Sequence, residues 1–234
     1  MLKTWEELPD WMKCQEVKEY YEILYKRRLS LIIKRIFDIG AALILLVLLA
    51  IPMIIVAIMI KCDSKGPVFY RQERITIYGR RFRIHKFRTM VDGADKIGTE
   101  VTLNNDRRIT KIGAKLRNLR IDEIPQILDV IDGNMSFVGT RPEIAKYVES
   151  YTNEMKATLL LRAGITSEAS IRYKDEARLL EDTKDADQLY VEYVLPRKMK
   201  YNLESIRKFS FFREITTMFR TIFAVLGKDY SGKE

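Results

Sequence analysis

Cationic and carboxylate side chains crowd one stretch of this chain, residues 83 to 143. KFRTM contains Lys86 and Arg88, KLRNLRIDEIPQ contains Arg117, Arg120, Asp122 and Glu123, and SFVGTRPE contains Arg141 and Glu143. Asp122 and Glu123 are adjacent, and the sequence around them reads as the start of a short helix. Two acids there would face about half a positive charge of helix dipole and several free N–H groups, which favours their ionised forms. Neighbours on a helix point about 100° apart, so the two can serve different ends. One could take a divalent cation, since Mg²⁺ commonly binds through one or two carboxylates plus substrate phosphates. A carboxylate can also be the nucleophile of phosphoryl transfer, forming an acyl phosphate. The plainer alternative is that the pair only caps a helix.

Several other chemistries are excluded. The chain has one histidine, His85, so a zinc site of the HExxH kind cannot form, and a Ser/His/Asp triad would have to pass through that residue. In FRIHKF it reads as a strand residue without a catalytic role. Neither GxxxxGK[ST] nor GxGxxG occurs, which removes the P-loop and the Rossmann dinucleotide site. Cys14 and Cys62 stand alone, so no disulfide framework or CxxC pair exists, as suits a reducing compartment. With 41 Lys and Arg against 32 Asp and Glu, the net charge of +9 calls for an anionic partner: nucleic acid, acidic lipid or a phosphorylated metabolite.

The elements that must hold these residues begin with an apolar run. Residues 39 to 60, IGAALILLVLLAIPMIIVAIMI, carry no charge over 22 positions, and a straight helix of that length rises ~33 Å. With 38 residues before it and no small-residue cleavage site after it, it is not read as a cleavable signal peptide. Pro52 lies within it and favours a kink. Lys34 and Arg35 on one side and Lys61, Lys65 and Arg71 on the other make both flanks basic, whereas a spanning helix should show a bias. The expectation is a re-entrant helix bent near Pro52; a plain span and a buried soluble hairpin are the alternatives. Mean hydropathy of the whole chain, −0.16, excludes several such segments.

Residues 1 to 28 read as an amphipathic helix whose Trp5, Leu8, Trp11, Val17, Tyr20, Tyr21 and Leu24 either meet a membrane interface or cap a soluble core. VFYRQERITIY and RRFRIHKF alternate around Tyr78-Gly79 and predict a β-hairpin. A short helix over IDEIPQILDVI should have Asp122 as N-cap, Pro125 in its first turn and an end at Gly133. A longer helix is expected from Pro142 to Arg162, stopping at Gly164, with two more between 174 and 201. The last, 205 to 226, places Ile206, Phe209, Phe212, Ile215, Phe219, Ile222 and Leu226 on one stripe beside Arg207, Lys208, Arg213 and Arg220. It suits an acidic membrane surface or, alternatively, a core position with a solvated face. The fold class expected is α+β, mostly helical, in three parts: an N-terminal amphipathic helix (1–28), a membrane helix (29–62) and a catalytic domain with interfacial helices (63–234).

The order of motifs adds a further reading. KRIFDIG (34–40), the Pro-broken hydrophobic hairpin, GPVFYRQER (66–74), FRIHKFRTM (82–90), NDRRITKIGAKLRNLRIDEIPQ (105–126), GNMSFVGTRP (133–142) and AGIT (163–166) together resemble the bacterial sugar transferases, the monotopic phosphoglycosyl transferases. The resemblance covers residues 34 to about 226. It implies transfer of a phosphosugar from a UDP-sugar to a polyprenyl phosphate such as undecaprenyl phosphate, with release of UMP, at the start of a cell-surface glycan. It implies Asp122 as nucleophile, Glu123 as the Mg²⁺ ligand, and Arg117 and Arg141 as phosphate contacts. Lys86 and Arg88 are further candidates for phosphate or nucleotide contact, or else brace the hairpin. The implied setting is the bacterial inner membrane with the catalytic domain on the cytoplasmic face, phospholipid around it, no nucleic acid, and a homodimer possible through an interfacial helix.

Three motifs depart from the family pattern. Ile51 stands where Ser often precedes the membrane proline, Thr140-Arg141-Pro142 replaces Pro-Arg-Pro, and Ala163-Gly164-Ile165-Thr166-Ser167 replaces Pro-Gly-Ile-Thr-Gly. None removes a charged group from the expected site. A non-catalytic scaffold, or a module binding acidic lipid or nucleic acid, is the rival reading.

Overall fold

The computed structural model describes residues 2–94, 106–173 and 186–225. The hairpin is present: β1 (Phe69–Ile75) pairs antiparallel with β2 (Arg81–Phe87), from Phe69 opposite Phe87 to Ile75 opposite Arg81. Tyr78 and Gly79 both take positive φ, 58° and 76°, as a tight strand connection requires. A Cβ on Gly79 would lie 2.6 Å from the Trp11 ring, so glycine also makes room for the N-terminal segment.

The N-terminal residues form less helix than expected. Pro9 precedes a single 3-10 turn, Asp10–Met12, and α1 proper runs Gln15–Lys26. Its Val17, Tyr20, Tyr21 and Leu24 are buried with Leu8 and Met12 against the soluble core, and Trp5 packs edge-on to Tyr21. Of the two readings of this aromatic face, core capping is the one realised; Trp11 remains half exposed.

α2 is one helix from Arg28 to Asp63, uninterrupted at Pro52, and by length and composition it is long and apolar enough to enter a bilayer. Only 6% of its most apolar window is buried, which removes the buried-hairpin alternative. One stripe, Ala42, Leu45, Leu46 and Leu49, packs on the sheet-side core, and Met53, Val56 and Ile60 continue it onto a smaller cluster with Phe87 and Leu116. The opposite face, including Val47, Leu48 and Ile51, is bare. Both flanks are bonded to the same body. Arg35 donates to the carbonyls of Val130 (2.9 Å) and Met135 (3.3 Å), while the Asp63 carboxylate accepts the Ile112 N–H at 3.1 Å.

α3 (Lys111–Asn118) leads to a 3-10 turn, Ile121–Glu123, and then α4 (Gln126–Ile131). Asp122 is therefore not an N-cap: Arg120 takes a left-handed conformation (φ 56°), and the regular helix starts only after Pro125. The end at Gly133 (φ 79°) is as expected.

The long helix expected from Pro142 to Arg162 does not form. Only α5 (Ala145–Val148) is helical before Met155–Leu160 winds as a 3-10 segment into β4 (Ala163–Thr166). Thr152 Oγ1 accepts the Met155 N–H, a side-chain turn that competes with helix continuation. Ala157, Thr158, Leu159 and Leu160 are all buried, a demand that a one-faced surface helix cannot meet. β4 pairs parallel with β3 (Met135–Val138), and Gly164 lies so close to Gly139 that a Cβ there would fall 2.1 Å from the Gly139 nitrogen.

α6 (Glu168–Arg172) follows, and residues 174–185 of the next expected helices lie outside the described residues. A turn at Ala186–Leu189 and a π-helical stretch, Tyr190–Val194, feed α7 (Leu195–Arg207). The expected C-terminal helix is two. Ile206 and Phe209 close the core at the end of α7, and α8 (Phe211–Val225) starts afresh. Leu226 lies outside the described residues; Phe212, Phe219 and Ile222 of α8 are exposed.

Candidate active site

The site forms where three short pieces converge beside the C-terminal end of α2. Phe82 and Ile84 of β2 enter the core with Ile127 and Val130 of α4. Period-two alternation puts Lys86 on the same face of the strand. His85 fixes the pairing of these elements: its backbone N–H and its Nδ1 each lie 2.8 Å from the fully buried Asp129 carboxylate. His85 is thus a strut with no place in the site. α3, which carries Arg117, is capped by Thr110 and packs so closely that a Cβ on Gly113 would sit 2.0 Å from the Thr89 carbonyl oxygen.

Five of the residues singled out in the sequence meet there directly or electrostatically. Lys86 Nζ donates to Glu123 Oε1 at 2.8 Å, and Arg141 forks onto both Glu123 oxygens, to Oε2 at 3.3 Å and more closely to Oε1. Asp122, 8% exposed, sits in the field of Lys86, Arg117 and Arg141. Its Oδ1 is buried and has no hydrogen-bond partner. Arg117 feels Asp122 most strongly among its neighbouring carboxylates, with burial lowering its own pKa.

The two adjacent acids are tuned apart. Burial pushes Asp122 above the ordinary aspartate range, and Glu123 adds to this while the three cations oppose it. Burial also acts on Glu123, but Arg141 and Lys86 together outweigh it and hold that carboxyl well below its usual value. Burial in turn lowers the Lys86 ammonium, against the pull of Glu123. Three cations around two carboxylates, one of them reluctant to ionise, leave a surplus of positive charge that an anion can satisfy. The expectation that both acids are held ionised by a helix terminus is therefore corrected: the side chains around them set their charge, and for Asp122 burial wins.

Arg88 is not part of this group. Its guanidinium is buried and donates to the carbonyls of Lys65 (2.8 Å) and Ser64 (2.7 Å), tying β2 to the end of α2. Pro52 lies on α2 inside the helix. Glu143 turns away to accept the Tyr190 hydroxyl at 2.6 Å, with Lys198 at 3.6 Å. Arg74 donates to the carbonyl of Pro142 and so pins the loop that presents Arg141. Gln126 is a polar residue that the charge pattern does not reveal. It is 1% exposed with its Nε2 unpaired, and its spacing of four from Asp122 was the one available signal. Among the described residues no cluster of three metal-ligating side chains exists. A cation here would have to be shared with a substrate.

An apolar helix long enough to enter a bilayer thus carries a bare face and ends against a cation-rich carboxylate pair with a surplus of positive charge. The sequence profile of the bacterial sugar transferases matches residues 29–228, and the chain belongs to that family. Over 197 residues it is 34% identical to the UDP-N-acetylgalactosamine-undecaprenyl-phosphate N-acetylgalactosaminephosphotransferase of Aeromonas hydrophila, covering 83% of this chain and 44% of that protein. It is also 34% identical over 197 residues to the UDP-glucose:undecaprenyl-phosphate glucose-1-phosphate transferase of Escherichia coli K12, covering 82% and 40%. A third relative, the undecaprenyl-phosphate glucose phosphotransferase of Komagataeibacter xylinus, is 34% identical over 210 residues, covering 86% and 37%. The chain spans less than half the length of each of these three.

Proposed function

We propose that this chain transfers a sugar 1-phosphate from a UDP-sugar to a polyprenyl phosphate, releasing UMP, through a covalent phosphosugar on Asp122. The observation that carries the reading is the Asp122–Glu123 pair, with Asp122 buried, amid Lys86, Arg117 and Arg141. The names of the relatives supply the substrate classes, a UDP-sugar and undecaprenyl phosphate.

The chemistry balances without an external base. An ionised Asp122 oxygen attacks the sugar-bearing phosphorus, and the bond from that phosphorus to the bridging oxygen breaks. UMP leaves with the electron pair. A phosphate oxygen of the polyprenyl acceptor then attacks the same phosphorus, and the P–O bond to Asp122 breaks, restoring the carboxylate. Arg117, Arg141 and Lys86 are placed to neutralise charge on the diphosphate as it moves to the leaving oxygen. Burial, which raises the Asp122 pKa, makes the carboxylate a stronger nucleophile once ionised.

The residues fit a Mg²⁺ shared with substrate. Asp122 Oδ1 lacks a partner, and Glu123 spends only part of its acceptor capacity on Lys86 and Arg141. When bound, the ion would offset diphosphate charge as a Lewis acid; Glu123 is the residue assigned to hold it.

α2 and α8 support a membrane setting. Basic flanks on both sides of α2, and bonds from both flanks to one body, favour a helix that enters and leaves on one face, with the catalytic domain cytoplasmic. Tags at the two termini are expected to report the same compartment; opposite compartments would establish a span. Dimerisation through an interfacial helix is compatible with this placement, and a molecular mass measured in nanodiscs checks it.

The decisive experiment is UMP release across a panel of UDP-sugars with undecaprenyl phosphate and Mg²⁺. Release with at least one donor, and retention of radiolabelled phosphosugar on the protein when acceptor is omitted, is the expected result. No release with any donor, from folded protein that still binds membranes, would leave a non-catalytic membrane module.

A further inference from the structure

A second cationic centre lies away from Asp122, in a cavity of about 440 Å³ bounded by α6, α7, α8 and the chain after β3. Its size falls in the range of small-ligand sites, roughly 300–1,000 Å³. Among its lining residues are Arg172, Tyr201, Glu204, Lys208 and Arg213. Arg172 lies over the Tyr201 ring, 4.8 Å from its centroid, and its buried Nε has no hydrogen-bond partner. Lys208 bonds to Glu204 one turn before it on α7. Arg172 and Arg213 both act on that same carboxylate, which sits below its usual pKa chiefly through the Lys208 hydrogen bond.

Three cations thus converge on one acid, leaving two positive charges uncompensated. The other carboxylates of the cavity do not cancel them. Glu168 is bridged by Arg220 at 2.7 Å, and Glu214 by Lys34 at 2.7 Å. The cavity lies on the polar side of α8, whose other side exposes Phe212, Phe219 and Ile222. An amphipathic helix of this kind settles at the boundary between headgroups and acyl chains, which brings the cavity to the level of lipid phosphates. A planar guanidinium with an unused in-plane N–H matches phosphate oxygens in geometry as well as charge.

We infer that the cavity between α6, α7 and α8 is a separate phosphoryl-binding site, taking the phosphate of a membrane headgroup or the same group free in solution through Arg172 and Arg213. It stands whether or not the chain transfers sugar phosphates, because no residue proposed for that reaction lines it.

Isothermal titration on the full chain in neutral detergent tests it, with inorganic phosphate, dihexanoyl phosphatidylglycerol and dihexanoyl phosphatidylcholine as titrants. An Arg117→Gln background weakens phosphate binding at the other centre. In that background, Arg172→Gln with Arg213→Gln is expected to weaken phosphatidylglycerol binding at least tenfold. Arg213→Gln alone, on an exposed side chain that leaves packing untouched, should weaken it about threefold. Phosphatidylglycerol binding well above inorganic phosphate identifies a headgroup as the ligand, whereas equal affinities identify the free ion; either result supports the site. Binding unchanged by both variants, or no saturable binding of any titrant, overturns it. A chain that releases no UMP but still shows the arginine-dependent loss would sink the transferase reading alone.

Discussion

Glu123 and Glu214 are two largely buried glutamates, each bonded to a lysine, at 2.8 Å and 2.7 Å, yet their environments push them in opposite directions. Glu123 is held well below the usual range, because Arg141 and Lys86 together outweigh its burial. Glu214 is pushed up, because burial prevails over Lys34, and Asp38 and Glu168 add to it. The difference is stoichiometry. Around Asp122 and Glu123 there are three cations for two acids and one carboxylate oxygen without a partner. Around Lys34 two acids share one ion-paired cation, and the other bonds are closed: Ser136 Oγ donates to Asp38 at 2.7 Å, and Lys34 also lies 3.7 Å from Asp38. The first cluster sits beside the C-terminal end of α2 and is open to an anion. The second, within the first turns of α2, fastens that helix to α8 and β3. Similar residues make the proposed reactive centre in one place and a clamp in the other.

The sharpest way to break this contrast is to neutralise one acid of the reactive centre. Asp122→Asn is expected to lower UMP release by about 10⁴-fold or more and to abolish trapping of a phosphosugar, as loss of a nucleophile does. Folded variant retaining a tenth of the activity would refute the covalent route and return the centre to a binding role.

Next come the two lysines, compared directly. Lys34→Met removes the one lysine bonded to both Asp38 and Glu214, and removal of one partner from a buried pair costs about 3–5 kcal/mol. A large drop in thermal midpoint is expected, with UMP release per folded molecule little changed. Lys86→Met leaves Glu123 with Arg141. It should cost much less stability but about 10²-fold in UMP release, through lost charge stabilisation. If the two variants exchanged these effects, the assignment of clamp and centre would be inverted.

How far the sequence anticipates this depends on how local each cause is. The β-hairpin follows from alternation around Tyr78-Gly79, and α2 from its uncharged run. The reactive centre is foreshadowed by the density of charge near Asp122, although Arg88, grouped with Lys86 in the same strand, proves to bind the carbonyls of Ser64 and Lys65. The clamp is invisible because Lys34 and Glu214 are 180 positions apart. The helix expected over 142–162 fails for a similar reason. Gly164 is placed by its contact with Gly139, and Ala157–Leu160 by burial on all sides. The aromatic face of α1 could equally have met lipid; only the core beneath it decides.

The gentlest probe is pH, because it perturbs both glutamates without deleting an atom, and their opposite shifts carry opposite signs. Glu123 has a folded pKa below its unfolded value near 4.3. It therefore contributes stability that is full above that value and lost as pH falls through the lowered folded pKa. Glu214 has a raised folded pKa, so its contribution runs the other way: the folded state loses stability as pH rises from the unfolded value through the raised one, and the loss persists at neutral pH. Denaturant midpoints measured from pH 2 to 8 should therefore diverge. Glu214→Gln should gain on the parent chain as pH rises through the window just above 4.3, while Glu123→Gln should fall behind it over the window just below. Asp122, also raised, behaves as Glu214 does, and under the proposed function its titration is expected to set the acid limb of UMP release above the ordinary aspartate range. Parallel slopes for the two glutamine variants would mean that cation count does not govern these carboxylates, and the contrast between clamp and centre would lose its physical basis.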